Sequence, residues 1–321
     1  MSYAEKKLMV FSGTSNRPLA ERIARELNVE LGNVKLEKFA NGEIYARYLQ
    51  SVRGADVFII QSVSGEVNDM LMELLIMVDA AKRASASSVT AVITHYGYSR
   101  QDKKSASREP ITAKLVANLL EVAGADRVIA IDLHQGQIQG FFDIPVNHLT
   151  ALPLFADYFN AKKIEDLCVV SPDVGRAKAA KKLSDLVNAD LAIMHKGRPA
   201  HNKAEITSVI GDVRGKNCIL NDDMIDTAGT MVAGMKALVT AGAKSVHICA
   251  THGLLSGPAV ERLEGCEIIE EVVLCDTVPI PPEKRTAKIN VITVGPLIAR
   301  AIANVFNNDS ISELFDPDFA L

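Results

Sequence analysis

The segment 219–230, ILNDDMIDTAGT, runs from an apolar stretch into three carboxylates, Asp222, Asp223 and Asp226, and closes on the small residues Thr227, Ala228, Gly229 and Thr230. A buried strand ordinarily ends in one turn-former, so this ending is built to hold something. Amides at the start of a helix lack intrahelical partners and carry the positive end of the helix dipole. The amides of 226–230, with the hydroxyls of Thr227 and Thr230, can therefore surround a phosphate. Asp222 and Asp223 would then face the neutral hydroxyls of a sugar. An ordinary helix cap would explain Asp226 or Thr227, but not the adjacent carboxylate pair.

Other polar clusters are less specific taken alone. The segment 98–109, YSRQDKKSASRE, gathers Arg100, Lys103, Lys104 and Arg108 without apolar periodicity. It reads as a polar loop between strand and helix that is either a solvated surface or a closure over a triphosphate. Asp132 and His134 flank Leu133 at an expected strand end, so alternation would turn both to one side. MHKGRP sets Lys196 and Arg198 two apart after another expected strand, a pattern common on surfaces.

The elements that must position these groups follow from the hydrophobic pattern. In a chain of 321 residues, 48% hydrophobic and 23% charged, there is material for two domains. The formal net charge of −4 gives no global basic field for nucleic acid or anionic lipid. No stretch has the roughly 18 uninterrupted apolar residues of a membrane span. The reading is a cytoplasmic protein whose five cysteines, without a Cys-x-x-Cys pair, are reduced core residues.

Short Val- and Ile-rich runs alternate with helical segments, the pattern of α/β domains with mainly parallel sheets flanked by helices. Strands are expected near 7–11, 56–61, 89–93 and 127–131, then 167–171, 190–195, 217–221, 244–250 and 271–275. Helices are expected near 18–28, 68–84 and 112–123, then 176–188, 229–241, 257–264 and 295–306. Each half carries an Ala-Gly-Ala before a strand, with Gly124 and Gly242 at left-handed positions that stop a helix. The chain is thus divided into two similar domains, 1–150 and 151–321.

DDMIDTAGT resembles the phosphoribosyl-diphosphate loop of type I phosphoribosyltransferases and of ribose-phosphate diphosphokinases. FANGEI (39–44), YGYSRQDKKSASREPITAKL (96–115), DLHQGQIQGFFDIP (132–145), VSPDVG (170–175), HKGRP (195–199) and SISELF (310–315) resemble segments of the second family in the same order. The resemblance implies two domains of the type I phosphoribosyltransferase fold. It also implies transfer of a diphosphoryl group from ATP to the anomeric hydroxyl of ribose 5-phosphate, releasing AMP. By it, Lys196 and Arg198 are catalytic, Phe39, Asn41, Gly42, Glu43, Arg100 and Gln101 hold ATP, and Arg198 joins Asp222, Asp223 and residues 226–230 around ribose 5-phosphate. Magnesium would meet His134 and Asp173, with Asp132 and Asp143 as further candidates. Ser51, Arg53, Ser310 and Ser312 would hold inorganic phosphate or ADP as regulators at an interface of a homo-oligomer, a hexamer.

The chain departs from the family pattern at Asn41 and Asn147, where relatives carry Asp, and at Asn221, where they carry an apolar residue. It departs again at Arg176, in place of a second glycine, and at Ala179, in place of a basic residue. A phosphoribosyltransferase would share DDMIDTAGT without needing FANGEI or SRQDKK, and a non-catalytic regulatory paralogue would tolerate the departures.

Overall fold

The computed structural model describes residues 6–197 and 206–314. The chain divides into two compact units. The first holds β1 (Lys7–Ser12), α1 (Arg17–Glu26), β2 (Val34–Lys38), β3 (Ile44–Tyr48), β4 (Ala55–Ser62), α2 (Val67–Arg83), β5 (Ser88–His95), α3 (Thr112–Ala123), β6 (Arg127–Ile131) and β7 (Val146–Leu149). Its sheet has the order β1-β4-β5-β6-β7, every pair parallel, and β2 and β3 form a separate antiparallel ribbon.

The second unit holds α4 (Leu152–Lys162), β8 (Leu167–Ser171), α5 (Ala177–Leu186), β9 (Asp190–Gly197), β10 (Ile206–Ile210), β11 (Asn217–Ile225), α6 (Gly229–Thr240), β12 (Ser245–Gly253), α7 (Ala259–Glu264), β13 (Ile269–Cys275) and β14 (Ile289–Ile292). The sheet order is β10-β9-β8-β11-β12-β13-β14, parallel except for the β10–β9 edge.

The two units repeat one plan, strand for strand. The series β1, β4, β5, β6, β7 recurs as β8, β11, β12, β13, β14, and the antiparallel pair β2–β3 recurs as β9–β10, joined in the second unit to the edge of β8. A last helix, α8 (Gly295–Asn307), follows β14 and packs on α1 as α4 packs on α5. The contact is close, since a Cβ on Gly295 would stand 2.7 Å from Arg22 Cδ. The compact units therefore differ from a single cut at 150. The segment from Thr293, with Thr277–Pro279, belongs to the first unit, whereas the sequence reading left it in the second domain.

Parallel strands covered on both faces are apolar along their whole length. Every residue of β12 is buried, as is all of β5 except its first. On α3 the buried residues Ala113, Val116, Ala117 and Leu120 recur at helical spacing. The helix stops where Gly124 takes φ +105°, and Gly242 after α6 takes φ +88°, as expected of both glycines. The expected strands and helices are all present. The added elements β2, β3, β7, β10, β14 and α4 are short or weakly patterned pieces that periodicity did not single out.

Candidate active site

In an open parallel sheet, ligands gather beyond the carboxyl ends of strands where the strand order reverses. In the second unit the chain passes from β8 to β9 on one side and then to β11 on the other, so the reversal lies between β8 and β11. The turn after β8 carries Asp173 and Arg176; the turn after β11 carries residues 226–230. The candidate residues of this unit thus stand at the place where the topology opens the sheet.

β11 runs four residues beyond the expected end at 221, so Asp222 and Asp223 lie within the strand and alternate between its faces. Asp223 is buried, and its amide donates to Asp222 Oδ1 at 2.8 Å. Burial, then the charge of Asp223, push the Asp222 carboxyl well above the ordinary carboxylate range, while Arg176 pulls it down. Arg176 Nε is 3.7 Å from Asp222 Oδ1 and is itself buried without a hydrogen-bond partner.

The 226–230 turn departs from a conventional helix cap. The N-cap of α6 is Ala228, at φ +57°, with no side-chain capping hydrogen bond. Asp226 and Thr227 thus precede the N-cap position instead of occupying it. The helix begins at Gly229, where the hydrophobic pattern places its start. Behind the loop, Arg262 Nη1 donates to the Thr227 carbonyl at 2.8 Å, a contact that the sequence reading missed because nothing local marks it.

Asp173 is exposed and extended; its Oδ1 accepts the Arg176 amide at 3.1 Å, and Ser171 Oγ donates to its carbonyl at 2.6 Å. Lys196 lies on β9, its main chain in register with Thr207 of β10. Its side chain and all of Arg198 fall outside the described residues. Asn221 is a buried amide: its Nδ2 reaches Cys249 Sγ at 3.4 Å, and its Oδ1 has no partner.

In the first unit, Phe39, Asn41, Gly42 and Glu43 form the tip of the β2–β3 hairpin, a ribbon that the sequence reading did not expect. Phe39 N donates to the Glu43 carbonyl and Gly42 N to the Phe39 carbonyl, both at 2.8 Å. Gly42 takes φ +90°, a value that glycine reaches without strain. Asn41 Oδ1 accepts the Glu43 amide at 3.2 Å, and Phe39 is 54% exposed, so its ring is presented to solvent. Gln101 is anchored: its carbonyl accepts the Ala113 amide at 3.2 Å and its Oε1 the Thr112 hydroxyl at 2.5 Å. The adjacent exposed Arg100 is thereby held at the foot of α3.

Asp132 and His134 do not follow strand alternation. β6 ends at Ile131, and Asp132 has φ +40°, so the two side chains do not leave one face of an extended strand as alternation predicts. Both are nevertheless half-buried around buried Leu133. Asp143 is exposed, its amide donating to Glu121 Oε1. Asn147 accepts from Arg127 Nη1 at 3.0 Å across the β6–β7 pair, and the structure gives no reason for an amide there in place of a carboxylate. Among the described residues, no three His, Cys, Asp or Glu groups gather as a self-contained metal site would require. Magnesium carried on a polyphosphate needs only one or two protein ligands, preferably oxygens. Exposed Asp173 fits that demand; the nitrogen of His134 is the weaker match.

The first unit's equivalent crevice, between β1 and β4, is filled by its own side chains. Glu73 accepts from the Thr14 amide at 2.7 Å and from Gln61 Nε2 at 2.8 Å, while Gln61 Oε1 accepts from Ser15 Oγ at 2.5 Å. Among the described residues, the second unit alone places a carboxylate pair and the 226–230 turn at this point of the fold.

The chain matches the N-terminal domain of ribose phosphate pyrophosphokinase over residues 8–124 and the phosphoribosyl synthetase-associated domain over 171–316. It is 52% identical to the ribose-phosphate pyrophosphokinase of Bacillus caldolyticus over 316 residues, covering 98% of this chain and 100% of the relative. It is 51% identical to that of Bacillus subtilis (strain 168) over 313 residues, covering 98% of each. The crystal structure of phosphoribosylpyrophosphate synthetase from Mycobacterium smegmatis superposes with a TM-score of 0.90 at 48% identity, covering 94% of this chain and 100% of that one. With a left-handed turn at 226–230 and a carboxylate pair at the sheet's reversal point, and relatives that match it almost end to end, the chain belongs to the ribose-phosphate pyrophosphokinase family.

Proposed function

We infer that the protein transfers the diphosphoryl group of ATP to the anomeric hydroxyl of ribose 5-phosphate, giving 5-phosphoribosyl 1-diphosphate and AMP. Within the site, the observation that carries this is the start of α6: a left-handed Ala228 and no side-chain cap beside the Asp222–Asp223 pair. The 5-phosphate takes the amides of 226–230 with the hydroxyls of Thr227 and Thr230. Asp222 and Asp223 accept from the ribose hydroxyls. The sugar oxygen bonds to the β-phosphorus of ATP, the bond from that phosphorus to the bridging oxygen of AMP breaks, and the hydroxyl proton is released.

Phe39 packs beside the base, Asn41, Gly42 and Glu43 hydrogen-bond the nucleotide, and Arg100 with Gln101 holds it from the foot of α3. Lys196 and Arg198 offset the charge that grows on the transferred group and on the departing oxygen, where fixed cations act most strongly. Asp173 in the second unit and His134 in the first, the latter with Asp132 and Asp143 near it in sequence, would be the contacts to the magnesium of Mg-ATP, which when bound neutralises phosphate charge.

We read the working form as a homo-oligomer, a hexamer. An apolar stripe supports self-association, though not its number: Ile111 at the N-cap of α3, then Leu115, Leu119 and Val122 along the helix, are all exposed, Val122 at 86%. Ser51, Arg53, Ser310 and Ser312, exposed and all in the first unit, suit inorganic phosphate or ADP as regulators, since hydroxyls and a guanidinium donate to phosphate oxygens. Among the described residues no helix is long and apolar enough to cross a membrane. The five cysteines are free thiols, four of them buried, which suits the reducing cytoplasm.

The decisive experiment incubates the purified protein with ATP, ribose 5-phosphate and magnesium and identifies the nucleotide product. AMP is expected. ADP would mean single-phosphoryl transfer, and no nucleotide product would favour a non-catalytic paralogue or a phosphoribosyltransferase.

A further inference from the structure

The turn that carries the phosphate loop is held from behind by three hydrogen bonds in sequence. The Ile225 carbonyl accepts from Leu255 N at 3.0 Å, the Asp226 carbonyl from Ser256 N at 2.9 Å, and the Thr227 carbonyl from Arg262 Nη1 at 2.8 Å. The first two donors are main-chain amides of the segment following β12. The third is a charged side chain from α7, set where the backbone is least relaxed, beside Ala228 at φ +57°.

The consequence follows from peptide geometry. In a planar trans peptide the N–H points opposite to the C=O of the preceding residue. With the carbonyls of 225, 226 and 227 turned toward the 255–262 segment, the amides of Asp226, Thr227 and Ala228 are turned to the other side. The left-handed residue followed by helical Gly229 carries the same concavity into the first turn of α6, the backbone shape that cradles anions.

Gly229 belongs to this device. A Cβ there would stand 3.2 Å from Arg262 Nη1, so the glycine leaves the space in which the guanidinium lies. The guanidinium also brings a permanent positive charge behind a loop that receives a doubly charged phosphate.

Resting on the functional reading above, we propose that Arg262 is a positioning residue for the sugar phosphate. Its bond to the Thr227 carbonyl orients the amides of the 226–230 loop toward the 5-phosphate, and its charge favours the bound anion. The residue acts through the loop and not on the reacting atoms, so its effect falls on ribose 5-phosphate and spares the nucleotide.

The test compares wild type with Arg262→Ala and Arg262→Lys, using initial rates of AMP formation, calorimetric titration of ribose 5-phosphate in the absence of turnover, and thermal unfolding. The expected result for Arg262→Ala is a KM and a Kd for ribose 5-phosphate raised roughly tenfold, as for loss of a charge-assisted hydrogen bond. The KM for ATP should stay within about twofold and kcat within about threefold, with partial recovery in Arg262→Lys. A wild type that binds ribose 5-phosphate but forms no AMP overturns the functional reading and leaves the binding comparison to judge Arg262. Unchanged affinity for ribose 5-phosphate in Arg262→Ala overturns the positioning role. A parallel loss of kcat and both affinities with a lowered unfolding midpoint in both variants also overturns it, by making the contact structural only.

Discussion

Arg176 Nε stands 3.7 Å from Asp222 Oδ1, joining the turn after β8 to the strand that carries the carboxylate pair. The distance is too long for a hydrogen bond, and Nε finds no other partner. The guanidinium therefore acts on Asp222 as a nearby charge, opposing burial and the neighbouring Asp223. Its position, where the family resemblance leads one to expect glycine, places a cation against the carboxylate assigned to the sugar hydroxyls.

The first prediction concerns that pair. The folded-state value of Asp222 is pushed up to about 8 from an ordinary 3.8, so folding takes up a proton. Its contribution to stability is complete at low pH and is lost as pH rises through that raised value. Sugar hydroxyls donate to the ionised form, so affinity for ribose 5-phosphate should improve as pH climbs from 7 to 9. Arg176→Met should move this improvement upward by about one pH unit, the low end of what an adjacent arginine does to an aspartate. Calorimetric Kd values across that range check it, and superimposable wild-type and variant profiles would sink the idea.

The cations proposed for catalysis, Lys196 and Arg198, give a second prediction. Lys196→Ala or Arg198→Ala should lower kcat by on the order of a hundredfold to a thousandfold with far smaller changes in KM, as for removal of one preorganised donor to developing charge. Asp222→Ala should instead raise the KM for ribose 5-phosphate. Steady-state kinetics separates the two patterns. Equal turnover in wild type and Lys196→Ala removes that lysine from the mechanism.

Third, Asn221 should be a stability defect. Its Oδ1 is buried without a partner in β11, at a cost of about 1–3 kcal/mol. Asn221→Val should raise the unfolding midpoint by several degrees, about 2–4 °C per kcal/mol for units of this size, with activity retained. An unchanged or lowered midpoint would show that the amide has partners worth keeping.

A fourth prediction lies away from the active site, at Glu271. This buried carboxylate accepts from His247 Nδ1 at 2.8 Å, Tyr158 Oη at 2.7 Å, Lys162 Nζ at 2.6 Å and Asn290 Nδ2 at 3.0 Å. Burial alone would raise it, but the bonds from His247, Lys162 and Tyr158 overcome burial and hold it down to about 2. The stabilisation is therefore complete above the ordinary value of 4.5 and is lost as pH falls toward 2. Glu271→Gln should cost on the order of 2 kcal/mol at neutral pH and flatten the acid limb of stability. Denaturant melts at pH 7 and pH 3 measure both effects.

Much of the protein was legible from sequence because the relevant physics is local. Alternation, helical spacing and Gly124 identify the α/β class and most element boundaries, each within a few residues of chain. DDMIDTAGT reads as a ligand loop for the same reason: carboxylates, hydroxyls and glycine are adjacent in the chain. The hairpin presenting Phe39 was not legible, since β2 and β3 lie outside the two main sheets and have no strong alternating burial to betray them.

Residue order sets the chemistry available, namely the types and spacing of the polar groups at 222–230, and the two-part α/β plan. Tertiary structure decided which distant groups meet. Strand order alone sets the turn after β8 beside β11, so that Arg176 faces Asp222, and only the path after β12 brings Arg262 behind Thr227. Likewise, α8 joins the first unit because its apolar face packs on α1, although it follows the last strand of the second. Local pattern is set by neighbouring side chains, whereas these meetings depend on burial and pairing between segments far apart in the chain, which no short window of sequence records.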